Sequence, residues 1–212
     1  MKTKNSWLSL LFCAALLALC VPSSNVQSKA VGNGFKEVYT GNLFYFDGTF
    51  GPGGPGAGLR RGNRSGSGSE FFTLTINRYT PENEVAQMLN ALRQDGQDGL
   101  LKTLSKDKAG TLQIGNGLAR DVQAVWITQT DEGRKISALS ERWLGFGELR
   151  RGARSVDYPL TYLEIFIEED GGKSEGSLIP AARVRSKGGN NIEIENFGIY
   201  PARLTNIKVG KK

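Results

Sequence analysis

Two residue types that are common in enzyme active sites are scarce in this sequence. It contains no histidine, and its two cysteines, Cys13 and Cys20, both lie near the amino terminus. Without histidine, neither a Ser-His-Asp triad nor a Cys-His pair can form, and the usual zinc, copper and non-haem iron sites lose their nitrogen ligands. Complete glycine fingerprints for dinucleotides or phosphate loops are also missing. We therefore predict no metal site and no cofactor, and we favour a protein that is not an enzyme.

The first 30 residues have the pattern of a secretory signal peptide. Lys2 and Lys4 precede an uncharged apolar run from Leu8 to Leu19, and small residues surround the end of the leader at Ala30. The apolar run is too short for a membrane-spanning helix, which needs about 20 residues. We therefore expect an exported protein, periplasmic or extracellular, without a transmembrane segment. Lipidation at Cys20 is the less favoured alternative, because a large leucine stands where a small residue is expected.

Removal of this leader changes the charge of the protein. The whole chain has a formal net charge of +6, and the leader contains three lysines and no acidic residue, so residues 31–212 have 24 basic against 21 acidic residues, a net charge of +3. So small a net charge gives no strong overall field, and binding to a polyanion must come from local clusters. Nucleic acid is accordingly not a predicted partner.

Beyond the leader, the sequence divides into three parts. Residues 31–50 form an aromatic, strand-prone segment, broken at Gly41-Asn42. Residues 51–69 contain eight glycines and three arginines and are typical of a flexible loop. Residues 70–212 have the pattern of an α+β domain. Whether the glycine-rich segment separates two units is left open by the sequence.

The α+β domain is predicted to contain one helical pair. The first helix spans residues 81–95, with Thr80 as its cap, an apolar stripe that includes Met88 and Leu92, and Gly96 as its stop. The second spans residues 99–106. Alternating apolar and polar residues then predict strands to the end of the chain, for example at Leu160–Glu168, and a hairpin at Asp131-Glu132-Gly133. We predict a mainly antiparallel sheet of seven to nine strands, arranged as a meander, a sandwich or a partly closed barrel.

A seven-residue motif occurs twice with a single difference, as LRRGNRS at Leu59–Ser65 and as LRRGARS at Leu149–Ser155. Each guanidinium can bind a phosphate, sulfate or carboxylate through two hydrogen bonds, and aromatic residues near the second copy can stack on sugar rings. We therefore predict a binding site for an anionic polysaccharide or cell-envelope polymer. Its residues are Arg150, Arg151, Arg154, Trp143 and Tyr158, assisted by Arg60, Arg61 and Arg64. The alternative is that nearby acidic residues neutralise these arginines on an ordinary surface loop.

Two other functions remain open. The pairs Glu164/Glu168 and Glu193/Glu195 could serve a carboxylate-dependent glycan hydrolase, which needs two carboxyl groups roughly 5 to 9.5 Å apart and a raised pKa on one of them. Acidic residues at this spacing on a strand are more often its solvated face. A structural or assembly component of the envelope is the third hypothesis.

Three stretches in the second half carry a resemblance: ELRRGARSVDYP at Glu148–Pro159, SLIPA at Ser177–Ala181 and NFGIYPARLTN at Asn196–Asn206. In these the sequence resembles uncharacterised exported bacterial proteins with a strand-rich C-terminal half. The resemblance implies a similar sheet over roughly residues 71–208. It implies no activity and assigns no functional residue.

Overall fold

The computed structural model describes residues 36–46, 67–104, 108–142, 154–168, 174–187, 192–198 and 200–211. Within these ranges there are ten strands, one α-helix and a short 3-10 turn. The strands are β1 Glu37–Tyr45, β2 Gly68–Ile76, β3 Gly110–Ile114, β4 Arg120–Val122, β5 Ala124–Thr130, β6 Gly133–Glu141, β7 Leu160–Glu168, β8 Glu175–Ser186, β9 Ile192–Asn196 and β10 Ala202–Lys211. The helix α1 is Glu82–Thr103, and the 3-10 turn is Arg154–Asp157. The predicted leader and most of the glycine-rich segment lie outside the described residues, although Gly68 and Ser69 already belong to β2.

The ten strands form one open sheet in the order β4-β3-β2-β1-β10-β8-β7-β6-β5, with β9 pairing the remaining part of β8. The assigned ladders are all antiparallel. The predicted mainly antiparallel α+β fold is thereby confirmed, but the described residues form ten strands and not the predicted seven to nine. β1 lies between β2 and β10, so residues 37–45 are part of the same sheet as the C-terminal strands.

Each face of the sheet covers its own apolar core, because successive side chains of a strand point to opposite faces. In β7, Leu163 and Ile165 enter the first core, whereas Leu160 and Tyr162 enter the second. The first core also contains Tyr39, Leu43, Phe72, Leu74, Ile76, Ile136, Leu178 and Leu204. The second lies between the sheet and α1, and contains Met88, Leu92 and Leu100 of the helix with Leu139, Ile179, Ala182 and Val184.

The two strands at the ends of the order, β4 and β5, are consecutive in the chain and are separated only by Gln123. The Gln123 amide donates a hydrogen bond to the Leu139 carbonyl of β6 at 3.2 Å. The two ends of the strand order therefore lie close together at this point. Residues from both halves of the order share the first core.

The helical region differs from its prediction. In place of two helices, the structure has one assigned element, α1, interrupted by Gly96 at φ 66° and ψ −153°. Thr80 does not cap it: the N-cap is Pro81, without a side-chain hydrogen bond. Instead, the Thr80 amide donates to the Val125 carbonyl at 2.6 Å and its Oγ1 accepts from the Val125 amide at 2.9 Å. The Thr80 hydroxyl therefore bonds to β5, which is distant in the sequence, and does not cap the adjacent helix.

The hairpin turn and the strand break agree with their predictions from the sequence better than the helix does. β5 and β6 are joined through Asp131-Glu132, and Gly133 has a positive φ, as predicted for this hairpin. The predicted break at Gly41-Asn42 is a bulge within a single strand, where the register of β1 on β10 shifts. A Cβ on Gly41 would lie 2.7 Å from the Thr205 carbonyl oxygen, so the close approach of the two backbones requires glycine here.

Among the described residues, no helix combines the length and the apolar character needed to cross a membrane.

Candidate functional site

One cluster joins the end of the second arginine motif to the carboxylate pair of β9. The Tyr158 hydroxyl donates a hydrogen bond of 2.5 Å to Glu195 Oε1. Arg154 Nη2 lies 3.5 Å from the same hydroxyl and donates to it. Arg185 Nη2 lies 3.2 Å from Glu195 Oε2. Both oxygens of a single carboxylate are thereby engaged, one by a phenol and one by a guanidinium.

The register of β8 on β9 places these charges together. Arg183 pairs with Glu195, and Arg185 pairs with Glu193. The intervening Val184, opposite Ile194, points toward α1 and the second core. The charged residues therefore lie on the opposite face, where cross-strand pairs of opposite charge favour the ladder. Arg185 is more than half exposed, with 52% of its side chain accessible to solvent.

Tyr158 is held from several directions. It is buried, with 2% of its surface exposed, and its ring packs edge-on against Phe197 at a centroid distance of 5.3 Å. The buried Arg142 donates from Nε to the Tyr158 carbonyl at 2.8 Å and from its amide to the Pro159 carbonyl at 2.6 Å. The start of β7 is thus fixed, so the hydroxyl that contacts Glu195 has a defined position.

The same contacts set the ionisation of the cluster. The hydrogen bond from Tyr158 lowers the pKa of Glu195; burial opposes this, and the charges of Arg185, Arg183 and Arg154 add to it. The pKa of Tyr158 is raised, chiefly by its hydrogen bond to Glu195. Glu195 is therefore an anion at neutral pH. A general acid of a glycosidase needs the opposite shift, so this environment suits charge pairing rather than proton donation.

The structure brings together two of the site residues predicted from the sequence, Arg154 and Tyr158. Arg154 is exposed, but the ring of Tyr158 is buried, so this residue contributes its hydroxyl to the surface cluster. The other predicted site residues lie outside the described residues: Arg60, Arg61, Arg64, Trp143, Arg150 and Arg151.

Sequence reasoning missed Arg183 and Arg185. The signal was present, since Arg-Val-Arg and Glu-Ile-Glu stand on either side of a Gly-Gly-Asn-Asn sequence at residues 188–191. The antiparallel ladder of β8 and β9 pairs the two arginines with the two glutamates on one face. Taken alone, the Arg-Val-Arg or the Glu-Ile-Glu pattern is typical of the solvated face of a strand. Neither pattern by itself therefore indicates a binding site.

A second charged cluster lies in the interior. Arg134 Nη2 is 3.0 Å from Glu37 Oε1 and also donates to the Tyr39 hydroxyl at 3.0 Å. The Tyr79 hydroxyl donates to Glu37 Oε2 at 2.5 Å. Burial raises the pKa of Glu37, but the hydrogen bonds from Tyr79 and Tyr39, together with Arg134, outweigh it and leave that pKa lowered. Only 6% of the Glu37 side chain is exposed, so we assign this cluster to stability and not to ligand binding.

Glu164, from the other predicted carboxylate pair, is also engaged. It accepts a hydrogen bond from the Tyr162 hydroxyl at 2.7 Å and lies 3.4 Å from Lys135 Nζ. The Tyr162 hydroxyl also contacts the buried Ser137 at 3.2 Å. This network continues the second core toward solvent between β6 and β7.

A small cavity lies between α1 and the sheet, lined by apolar side chains that include Met88, Leu92 and Trp126, with Tyr162 at one side. Its volume is about 30 Å³. That is room for a water-sized molecule and far less than an apolar cavity that binds benzene, at about 150 Å³. We therefore do not consider it a ligand site.

No family model, curated protein or solved structure matches this chain. Within the described ranges, no group of three or more carboxylate, histidine or cysteine side chains is arranged to hold a metal ion. The candidate functional site is the Tyr158–Glu195 cluster, by which we mean Arg154, Tyr158, Arg183, Arg185 and Glu195.

Proposed function

We propose that this protein is a non-enzymatic, exported binding module for an anionic polysaccharide or cell-envelope polymer. The observation that carries the proposal is the grouping of three arginines around one surface carboxylate. Arg185 contacts Glu195 directly, Arg154 contacts the Tyr158 hydroxyl that donates to Glu195, and Arg183 lies opposite Glu195 in the ladder. Two of them come from adjacent positions on one face of β8, and the third comes from the second copy of the repeated arginine motif.

Arginine at these positions suits oxyanions. Its planar guanidinium carries five donors and stays charged at all physiological pH values, so one side chain can bind one ligand oxyanion while keeping a second contact. Three arginines against Glu195 leave a local positive excess, although Glu193 reduces it. A polymer with repeating anionic groups can contact several arginines at once, and its contacts then reinforce one another.

The leader-like residues 1–30 support the exported location. Outside the cell the abundant polyanions are glycans and envelope polymers, so these are the proposed partners rather than nucleic acid. The lowered pKa of Glu195 argues for this function over the hydrolase.

The test is binding to heparin, a sulfated glycan, by the purified protein and by the variant in which Arg154, Arg183 and Arg185 are all alanine. Exposed ion pairs contribute about 0.2–1 kcal/mol each, so loss of three should raise the Kd roughly three- to 150-fold. The control variant replaces Lys102, Arg203 and Lys208 by alanine; these three residues are exposed, and the net charge changes equally. Equal weakening in both variants would mean that binding depends on overall charge and would refute the proposed site.

A further inference from the structure

The contacts of Glu195 are those of a bound ligand. The two oxygens of the Glu195 carboxylate contact a phenol and a guanidinium, and further guanidiniums lie nearby. A binding site for oxyanions would hold its ligand through the same kinds of contact. We propose that Glu195 is a built-in competitor: it fills the anion site in the free protein, and the ligand must displace it. This inference rests on the proposed function and adds how that site is regulated.

Two observations make Glu195 a displaceable occupant. Its side chain is 37% exposed, and that of Arg185 is 52% exposed, so their ion pair is weakened by water and salt. Glu195 also lies near the end of β9, with Gly198 two residues beyond Asn196. A ligand oxyanion can therefore replace Glu195 as the partner of Arg185 without disrupting the buried part of the sheet.

The fixed part of the site is the phenol. Tyr158 is anchored through Arg142 and Phe197, as described above, whereas Arg183 and Arg185 lie beyond the part of β8 that pairs with β7 and are paired with β9. The Glu195 side chain can therefore turn toward solvent while the Tyr158 hydroxyl keeps its position. Glu193, opposite Arg185, has the same charge without the contact to Tyr158.

This difference supplies a matched pair of variants. Glu195→Gln and Glu193→Gln each remove one negative charge from the same face of the same strand. If Glu195 competes with the ligand, Glu195→Gln should bind heparin about three- to tenfold more tightly, the order expected for release of one exposed ion pair and one hydrogen bond. Glu193→Gln should bind heparin only about twofold more tightly, since it changes only the local charge.

The Kd for heparin should be measured by titration calorimetry at fixed low salt for the wild type, both glutamine variants and the triple arginine variant. Circular dichroism and a thermal melt establish that each is folded, and Glu195→Ala serves as a second variant that should also bind more tightly. If the triple arginine variant binds weakly but Glu195→Gln gains no more than Glu193→Gln, the competitor idea is wrong and the proposed function stands. If the triple arginine variant binds like the wild type, both are wrong.

Discussion

Replacing Arg134 by methionine should lower the free energy of unfolding by about 3 kcal/mol at pH 7. Methionine keeps much of the apolar stem but loses the donors to Glu37 and Tyr39, both at 3.0 Å. Glu37 would remain charged in a site where 6% of its side chain is exposed. Removing one partner of a buried ion pair costs about 3–5 kcal/mol. The 31% exposure of the Arg134 side chain places the loss at the lower end of that range.

Urea denaturation followed by circular dichroism measures this loss directly. In a thermal melt it corresponds to a Tm about 6–12 °C lower, at about 2–4 °C per kcal/mol for a domain of this size. The control is Arg203→Met, because Arg203 lies 3.9 Å from Glu175 with both side chains more than 60% exposed. That variant should change stability by less than about 0.5 kcal/mol. The double variant Glu37→Gln, Arg134→Met should recover much of the loss, since it leaves no buried charge.

The pH dependence gives an independent test. The folded-state pKa of Glu37 lies below its ordinary value of 4.5, so its ionised form contributes stability above pH 4.5, and this contribution is lost as the pH falls through the lower folded value. In Arg134→Met, the arginine no longer counteracts the effect of burial, so the pKa of Glu37 rises. Protonation of Glu37 then removes the unpaired buried charge and reduces the stability lost in the variant. The difference between wild type and variant should therefore shrink on acidification toward pH 4. A loss under about 1 kcal/mol at pH 7, or a loss independent of pH, would refute the reasoning.

Three further changes test other parts of the structure. Gly96→Ala should lose about 1–3 kcal/mol in chemical denaturation, because its φ of 66° with ψ −153° lies in a region essentially restricted to glycine; an unchanged midpoint would contradict the kink. Ile165→Ala, at a position with no exposure, should lose about 2–5 kcal/mol, whereas Leu118→Ala, at 80% exposure, should stay within about 0.5 kcal/mol. Tyr158→Phe removes the hydrogen bond that lowers the pKa of Glu195, so an NMR titration of that carboxyl should show a higher pKa; an unchanged value would exclude the contact.

Local patterns predicted the strands well and the helix less well. The alternation in β7 and the glycine at the β5–β6 hairpin are properties of a few neighbouring residues, and both were confirmed. Thr80 shows the limit of such reasoning: its sequence context favours a helix cap, yet its hydroxyl bonds Val125, 45 residues away. The pairing of β1 with β10 has no local signature at all.

The same distinction applies to the candidate site. Arg154 could be singled out because the repeated motif is unusual in itself, and Tyr158 because it is an aromatic residue close to the second copy. Arg185 and Glu195 meet only because of the register between β8 and β9, and a slip of β9 by one residue would move Glu195 to the other face, away from Arg185. The buried position of the Tyr158 ring depends on its packing against Phe197, which sequence spacing does not encode.

The pairing of β1 with β10 also bears on how fast this sheet can form. Glu37 lies opposite Lys211, so a central ladder joins residues about 170 positions apart. A circular permutant that links these two positions and opens the chain at the Gly115–Gly117 turn would convert that ladder into a hairpin. Its mean contact separation would fall, and it should refold faster at similar stability. The order in which the strands are connected, and not only the way they pack, is therefore expected to set how fast this sheet folds.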